Sequence, residues 1–88
     1  MDYVEIIKEL HKLLRVYEER DFEDYKSYLS TVIQDFDSID DPSRELKRVI
    51  KRLKGLRKWS EDETTHHDVK DCVLDGRGRL EREHKEAG

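Results

Sequence analysis

Apolar residues return at steps of three and four through three successive windows of this chain, and the windows are nearly contiguous. In the first, Tyr3, Ile6, Ile7, Leu10, Leu13, Leu14 and Tyr17 recur at that spacing. At about 100° per residue they fall on one narrow helical stripe. Glu5, Lys8, Glu9, Lys12, Arg15 and Glu19 take the opposite face, and Asp2 followed by Glu5 has the spacing of a capping box, with Asp in the place of Ser or Thr. The pattern predicts a helix over 2–19. In the second window Phe22, Tyr25, Leu29, Val32, Ile33 and Phe36 form the stripe of a helix over 21–37. Asp21 is its cap, with Glu23 and Asp24 in the first turn, where the helix dipole favours acids. Only Arg20 and its neighbours separate these two helices. A link that short makes them near-antiparallel neighbours.

Residues 38–41 read as a loop. Asp41-Pro42 then has the form of a helix start, a capping acid followed by proline at the first helical position. Leu46, Val49, Ile50, Leu53 and Leu56 make the third stripe, with Trp59 near its end, and predict a helix over 42–58. Gly55 lies on the solvent side of that wheel. It weakens the last turn by about 1 kcal/mol relative to alanine without breaking the pattern.

The C-terminal third carries a thinner signal. Ser60 and Glu63 have capping-box spacing, but no aliphatic residue follows until Val69. Val69, Cys72 and Val73 share a short helical face, with Leu74 off it, and Asp75-Gly76-Arg77-Gly78 reads as the stop. Asp75-Gly76 as the turn of a small hairpin is the competing reading. Helix is preferred because Val69 to Leu74 does not alternate. The expected architecture is all-α: a small antiparallel bundle of three long helices plus a short fourth C-terminal helix near 62–75. Residues 1–81 form a single domain, and 82–88 a frayed polar tail.

Composition narrows the class further. Charged residues fill 45% of the 88 positions and apolar ones 34%, a balance that pulls toward disorder unless periodicity opposes it, as here. A chain this short buries only about 60–65% of its unfolded surface, so its stability is marginal unless a second copy or a partner extends the core. No apolar run approaches the roughly 18–20 residues of a membrane span. The acidic start Met1-Asp2-Tyr3-Val4-Glu5 lacks the order of a signal peptide. A single cysteine, Cys72, gives no internal disulfide and makes cytoplasm the expected compartment.

The formal net charge of −4 hides a division. Residues 1–42 carry 12 acids and 5 bases, residues 43–58 carry 8 bases and one acid, and residues 59–88 carry 9 acids and 5 bases. On the third wheel Arg44, Lys47, Arg48, Lys51, Arg52, Lys54 and Lys58 lie opposite the apolar stripe. One reading is charge balance, a basic helix between acidic ones, each exposed pair contributing about 0–1 kcal/mol. The other is a binding face for phosphate or for an acidic protein. Overall acidity and a pI near 5.6 count against nucleic acid.

Chemistry is mostly absent. Glu5, Glu9, Glu18, Glu19, Glu23 and Asp24 fall on polar faces or helix starts, where carboxylates solubilise rather than catalyse. His66-His67 beside Asp71 and Cys72 is the one metal-like cluster, but it lacks the ligand number and spacing of a zinc site, so no metal and no cofactor is expected. Cys72, between Val69 and Val73, reads as a buried structural thiol. Gly76-Arg77-Gly78 is too short for a phosphate loop, and there is no Gly-x-Ser-x-Gly elbow. No catalytic residue is expected.

Tyr3, Tyr17, Phe22, Tyr25 and Phe36 fit the core stripes. Tyr28 and Trp59 fit less well, which makes them, apart from the basic face, aromatic candidates for partner binding. In size and composition the chain resembles small acidic helical proteins that bind another protein, such as immunity proteins, antitoxins and phage-encoded inhibitors. That resemblance implies a non-catalytic role in protein–protein interaction. Three partner classes follow: a basic protein met by the acidic 1–42 hairpin, nucleic acid met by residues 44–58, and a second copy that completes a small core as a homo-dimer.

Overall fold

A computed structural model describes residues 3–59 and 66–87. They form four helices, α1 (Tyr3–Glu19), α2 (Phe22–Asp37), α3 (Arg44–Arg57) and α4 (His66–Ala87), and no strand occurs among the described residues. Each helix packs on two others in a closed ring: α1 on α2 and α4, and α3 on α2 and α4.

The first three helices follow their stripes. α1 buries Ile6, Leu10, Leu13 and Leu14. Asp21 caps α2, its carboxylate accepting from the Asp24 amide at 2.8 Å, and Tyr25, Leu29, Val32, Ile33 and Phe36 turn inward. α3 contributes Leu46, Val49, Ile50, Leu53 and Leu56, with Leu53 fully enclosed. The capping expected from Asp2, and that from Ser60 and Glu63, lie outside the described residues.

The start of α3 differs from expectation. Ser43, not Asp41, is the cap, and its hydroxyl accepts from the Leu46 amide at 3.2 Å. Asp41 instead takes the left-handed region, with φ 51°. Short polar residues tolerate that conformation best after glycine. Pro42 thus precedes the cap, and the helix starts two residues later than the Asp-Pro pair suggested.

The fourth helix runs 22 residues, straight through Asp75-Gly76-Arg77-Gly78 and through most of the expected tail to Ala87. Neither glycine takes positive φ. Val69, Cys72, Val73, Gly76 and Leu80 form one buried stripe, at steps of three and four. Gly76 holds the place of an apolar side chain in that stripe. An added Cβ there would lie 3.2 Å from Val49 Cγ2, so the missing side chain lets α4 settle directly on α3. The dipeptide that looked like a turn is a packing contact, and burial overrides the turn propensity of glycine.

Pairings between helices place residues level with one another. Tyr3 donates its hydroxyl to Glu83 and stacks near His84, with ring centroids 5.0 Å apart. Further along α1, the Arg77 guanidinium lies 3.1 Å from the His11 ring nitrogens. Between α1 and α2, Tyr28 donates to Glu9 at 2.5 Å, and Tyr17 meets Tyr25 edge-on at 4.8 Å. Lys54 on the third turn of α3 reaches Asp37 at the end of α2, at 3.0 Å.

Candidate functional site

The basic face of α3 is built from the helical repeat itself. With Leu46, Val49, Ile50, Leu53 and Leu56 fixed in the core, Arg44, Lys47, Arg48, Lys51, Arg52, Lys54 and Lys58 are forced outward. They separate into flanks and a crest.

The flanking cations are tied to neighbouring acids. On the α2 side Lys54 pairs with Asp37. On the α4 side Arg52 donates to Asp75 Oδ2 at 2.6 Å, and Arg48 lies 3.7 Å from Glu45. Arg79 of α4 joins the two acids, donating through Nε to the same Asp75 oxygen at 2.9 Å and through Nη1 to Glu45 at 3.4 Å. The hydrogen bond from Arg79, with the nearby charges of Arg79 and Arg52, holds the Asp75 carboxyl below the usual carboxylate range.

Arg44, Lys47, Lys51 and Lys58 form the crest. All four are exposed, and none has an ion-pair or hydrogen-bond partner among the described residues. At 1.5 Å rise per residue the row spans about 21 Å. Gly55 lies within it, with nothing within 4 Å of where a Cβ would stand. The helix backbone is therefore open between Lys51 and Lys58.

The two aromatic candidates are both partly buried. Tyr28 is half-buried in the α1–α2 contact, its hydroxyl on Glu9 and Lys12 Nζ 5.3 Å from its ring centroid. Burial first, then the Glu9 carboxylate, pushes its phenol well above the ordinary value. Trp59, next in sequence to Lys58 of the crest, packs partly buried against the core.

The acids of the first two helices are partly engaged within the fold. Glu9 accepts from Tyr28, Glu19 pairs with Arg15, Asp21 caps α2 and Asp37 meets Lys54. The side chains of His66 and His67 lie outside the described residues, and with them the cluster near Asp71. Among the described residues no group of three or more His, Cys, Asp or Glu is placed to hold a metal ion. Cys72 is a buried free thiol whose pKa burial pushes up, the opposite of an activated nucleophile.

Arg79 is the site residue that the sequence pattern did not reveal, because the fourth helix was expected to end near Asp75. Two signals were present: Leu80 stands seven residues after Val73, on the same stripe, and Asp75 and Arg79 have i,i+4 spacing. Two clefts flank α3 on the α4 side. One, of about 200 Å³, is lined by Arg48, Val49, Lys51, Arg52, Asp75, Gly76 and Arg79. The other, of about 330 Å³, is lined by Arg44, Glu45, Arg79, Arg82, Glu83 and Glu86. Glu83 sits below its ordinary value; burial pushes it up, but hydrogen bonds from Ser43, Tyr3 and the Glu45 backbone outweigh that. Comparison of the chain with family models, with curated proteins and with solved structures gives no match.

Proposed function

We propose that this chain is a non-catalytic protein that binds an acidic protein partner through the crest of α3, in the manner of small inhibitor-like helical proteins. One observation carries the reading. Charge balance within the fold accounts for Arg48, Arg52 and Lys54, which have acids beside them, but not for Arg44, Lys47, Lys51 and Lys58, which do not. Four uncompensated cations in a row repel one another by an amount that a complementary surface would remove. Gly55 adds support, since it opens the middle of the row to close approach.

The partner is taken to be protein rather than nucleic acid because the rest of the chain is acidic: residues outside 43–58 carry 21 acids against 10 bases. That field opposes the long approach to a polyphosphate but leaves a short-range, oriented contact with an acidic segment favourable. Against catalysis, Asp75 and Glu83 are both shifted toward the ionised form, the wrong direction for a general acid at neutral pH. The scaffold on this reading is an antiparallel bundle. The pairings Tyr3 with Glu83 and His11 with Arg77 support opposed directions for α1 and α4, as Glu9 with Tyr28 and Tyr17 with Tyr25 do for α1 and α2. A reduced, buried Cys72 supports a cytoplasmic setting.

The test is fluorescence anisotropy with labelled polyglutamate and labelled duplex DNA at physiological salt. The chain should bind polyglutamate, with association weakened by added salt, and should not bind the duplex. Lys47→Gln with Lys58→Gln should weaken the polyglutamate interaction without lowering the melting temperature. DNA binding lost in that double variant would replace this reading with the nucleic-acid one. Absence of binding to either probe even at low salt would end both.

A further inference from the structure

The smaller α3–α4 groove has features that the crest reading does not use. Its floor is Gly76 against Val49, and its rim carries Arg48, Lys51 and Arg52 from α3 and Arg79 from α4. The three guanidiniums are chained through two carboxylates, in the order Arg52, Asp75, Arg79, Glu45, Arg48. Each carboxylate holds two arginines and so fixes them relative to one another. A guanidinium offers five N–H donors, and the pairs described here engage one each on Arg52 and Arg48 and two on Arg79. Most donors around the groove remain available. Lys51 stands at the rim with no partner among the described residues.

Charge and size then select the ligand. Four cations against Asp75 and Glu45 leave the rim at formal charge +2. A carboxylate would neutralise half of that, whereas a phosphoryl group carries about −1.5 to −2 at neutral pH and presents several strong acceptor oxygens. The groove, at about 200 Å³, falls below the roughly 300–1,000 Å³ of sites that enclose drug-sized molecules. It suits one tetrahedral anion rather than a base or a sugar. Three fixed guanidinium forks are the side-chain geometry that phosphate favours.

We propose that the α3–α4 groove over Gly76 is a binding site for a phosphoryl dianion, gripped by Arg48, Lys51, Arg52 and Arg79. The site shares Lys51 with the crest but takes Arg48, Arg52 and Arg79 from the flank, so double variants that spare one set or the other separate the two readings.

The probe is inorganic phosphate, titrated into labelled protein at constant ionic strength and followed by amide chemical shifts. Saturable shifts should cluster at residues 48–52 and 75–79, with a dissociation constant of about 1 mM or tighter. Arg48→Gln with Lys51→Gln should weaken that affinity at least about tenfold, because two of the four cations are removed from exposed positions that leave the core untouched. Lys47→Gln with Lys58→Gln, an equal change in net charge outside the groove, should leave it within about twofold. Affinity for inorganic phosphate should also fall on acidification through neutral pH, where the dianion gains a proton, and that for a phosphoserine peptide only below about 6. A phosphoserine peptide titrated alongside distinguishes the source: tighter binding than phosphate points to a phosphorylated macromolecule, and equal binding to the free ion. Shifts reproduced by chloride at matched ionic strength, or equal losses in the two double variants, would overturn the proposal. So would the absence of saturation.

Discussion

Three glycines lie inside helices, and one substitution, glycine to alanine, separates them. Gly55 in α3 and Gly78 in α4 have open space around the missing Cβ, whereas at Gly76 that atom would stand 3.2 Å from Val49 Cγ2 and 3.5 Å from Cγ1. None of the three has positive φ, so alanine fits the backbone at each. Alanine in a helix interior is favoured over glycine by about 0.8–1 kcal/mol, largely through the entropy of the unfolded chain. That gain is common to all three sites. At Gly55 and Gly78 nothing opposes it, so each variant should be more stable by about 1 kcal/mol, or about 4–8 °C in melting temperature for a domain of this size. At Gly76 the same gain meets overpacking, which typically costs about 1–3 kcal/mol. Gly76→Ala should therefore be less stable than either of the others by roughly 1–3 kcal/mol, the packing cost isolated by difference. Urea unfolding with a shared m-value gives all three numbers. The sign at Gly78 is the critical one: if Asp75-Gly76-Arg77-Gly78 were a turn requiring left-handed backbone, Gly78→Ala would destabilise by about 1 kcal/mol or more. A loss at Gly78 would refute the continuous α4 and the groove built on it.

Other perturbations test other layers. Leu53, fully enclosed at the centre of the third stripe, should cost about 2–5 kcal/mol when truncated to alanine, read by thermal or urea unfolding. Tyr25 is buried with a hydroxyl that has no hydrogen-bond partner among the described residues, so Tyr25→Phe should be neutral or stabilising by up to about 1 kcal/mol. Asp75 and Glu83 are held below their ordinary values of 3.8 and 4.5, so the stability they contribute is fully present above those values and is lost as pH falls through the lower folded ones. Asp75→Asn with Glu83→Gln should lower stability at neutral pH, flatten the profile below about pH 4, and converge with the unsubstituted chain at low pH, where both carboxyls are already protonated.

Helix existence was readable wherever several branched or aromatic side chains shared a stripe, as in α1, α2 and α3. The stripes fixed Leu10, Leu29 and Leu53 as core without any tertiary information. α4 was readable only in part because its central buried position is a glycine. Hydrophobic periodicity cannot register a place occupied by no side chain, and the Val49 methyl groups that fill it come from 27 residues earlier in the chain. The α3 boundary shifted because Asp41 and Ser43 both suit a cap, and only the backbone conformation at Asp41 decides between them. The basic face was legible as a helical wheel. Its division into paired flanks and an unpaired crest was not, since the partners of Arg52 and Lys54 lie on other helices. Tyr28 looked off-stripe because the wheel gives direction but not reach: a long ring can lean back over α1 to meet Glu9.

The single thiol offers a clock for motions that the static fold conceals. Cys72 lies 6% exposed between Val69 and Val73, with its ionisation suppressed by burial. A bulky thiol reagent can reach that sulfur only when α4 lifts away from its neighbours, so native-state labelling counts openings rather than encounters. When reclosing outpaces reaction, the ratio of the native labelling rate to that of the unfolded chain gives the free energy of opening directly. If that energy equals the global stability, α4 is an integral member of one cooperative unit. If it is smaller, the fourth helix detaches as a foldon of its own, and any ligand that bridges α3 and α4 would slow the clock in proportion to its occupancy.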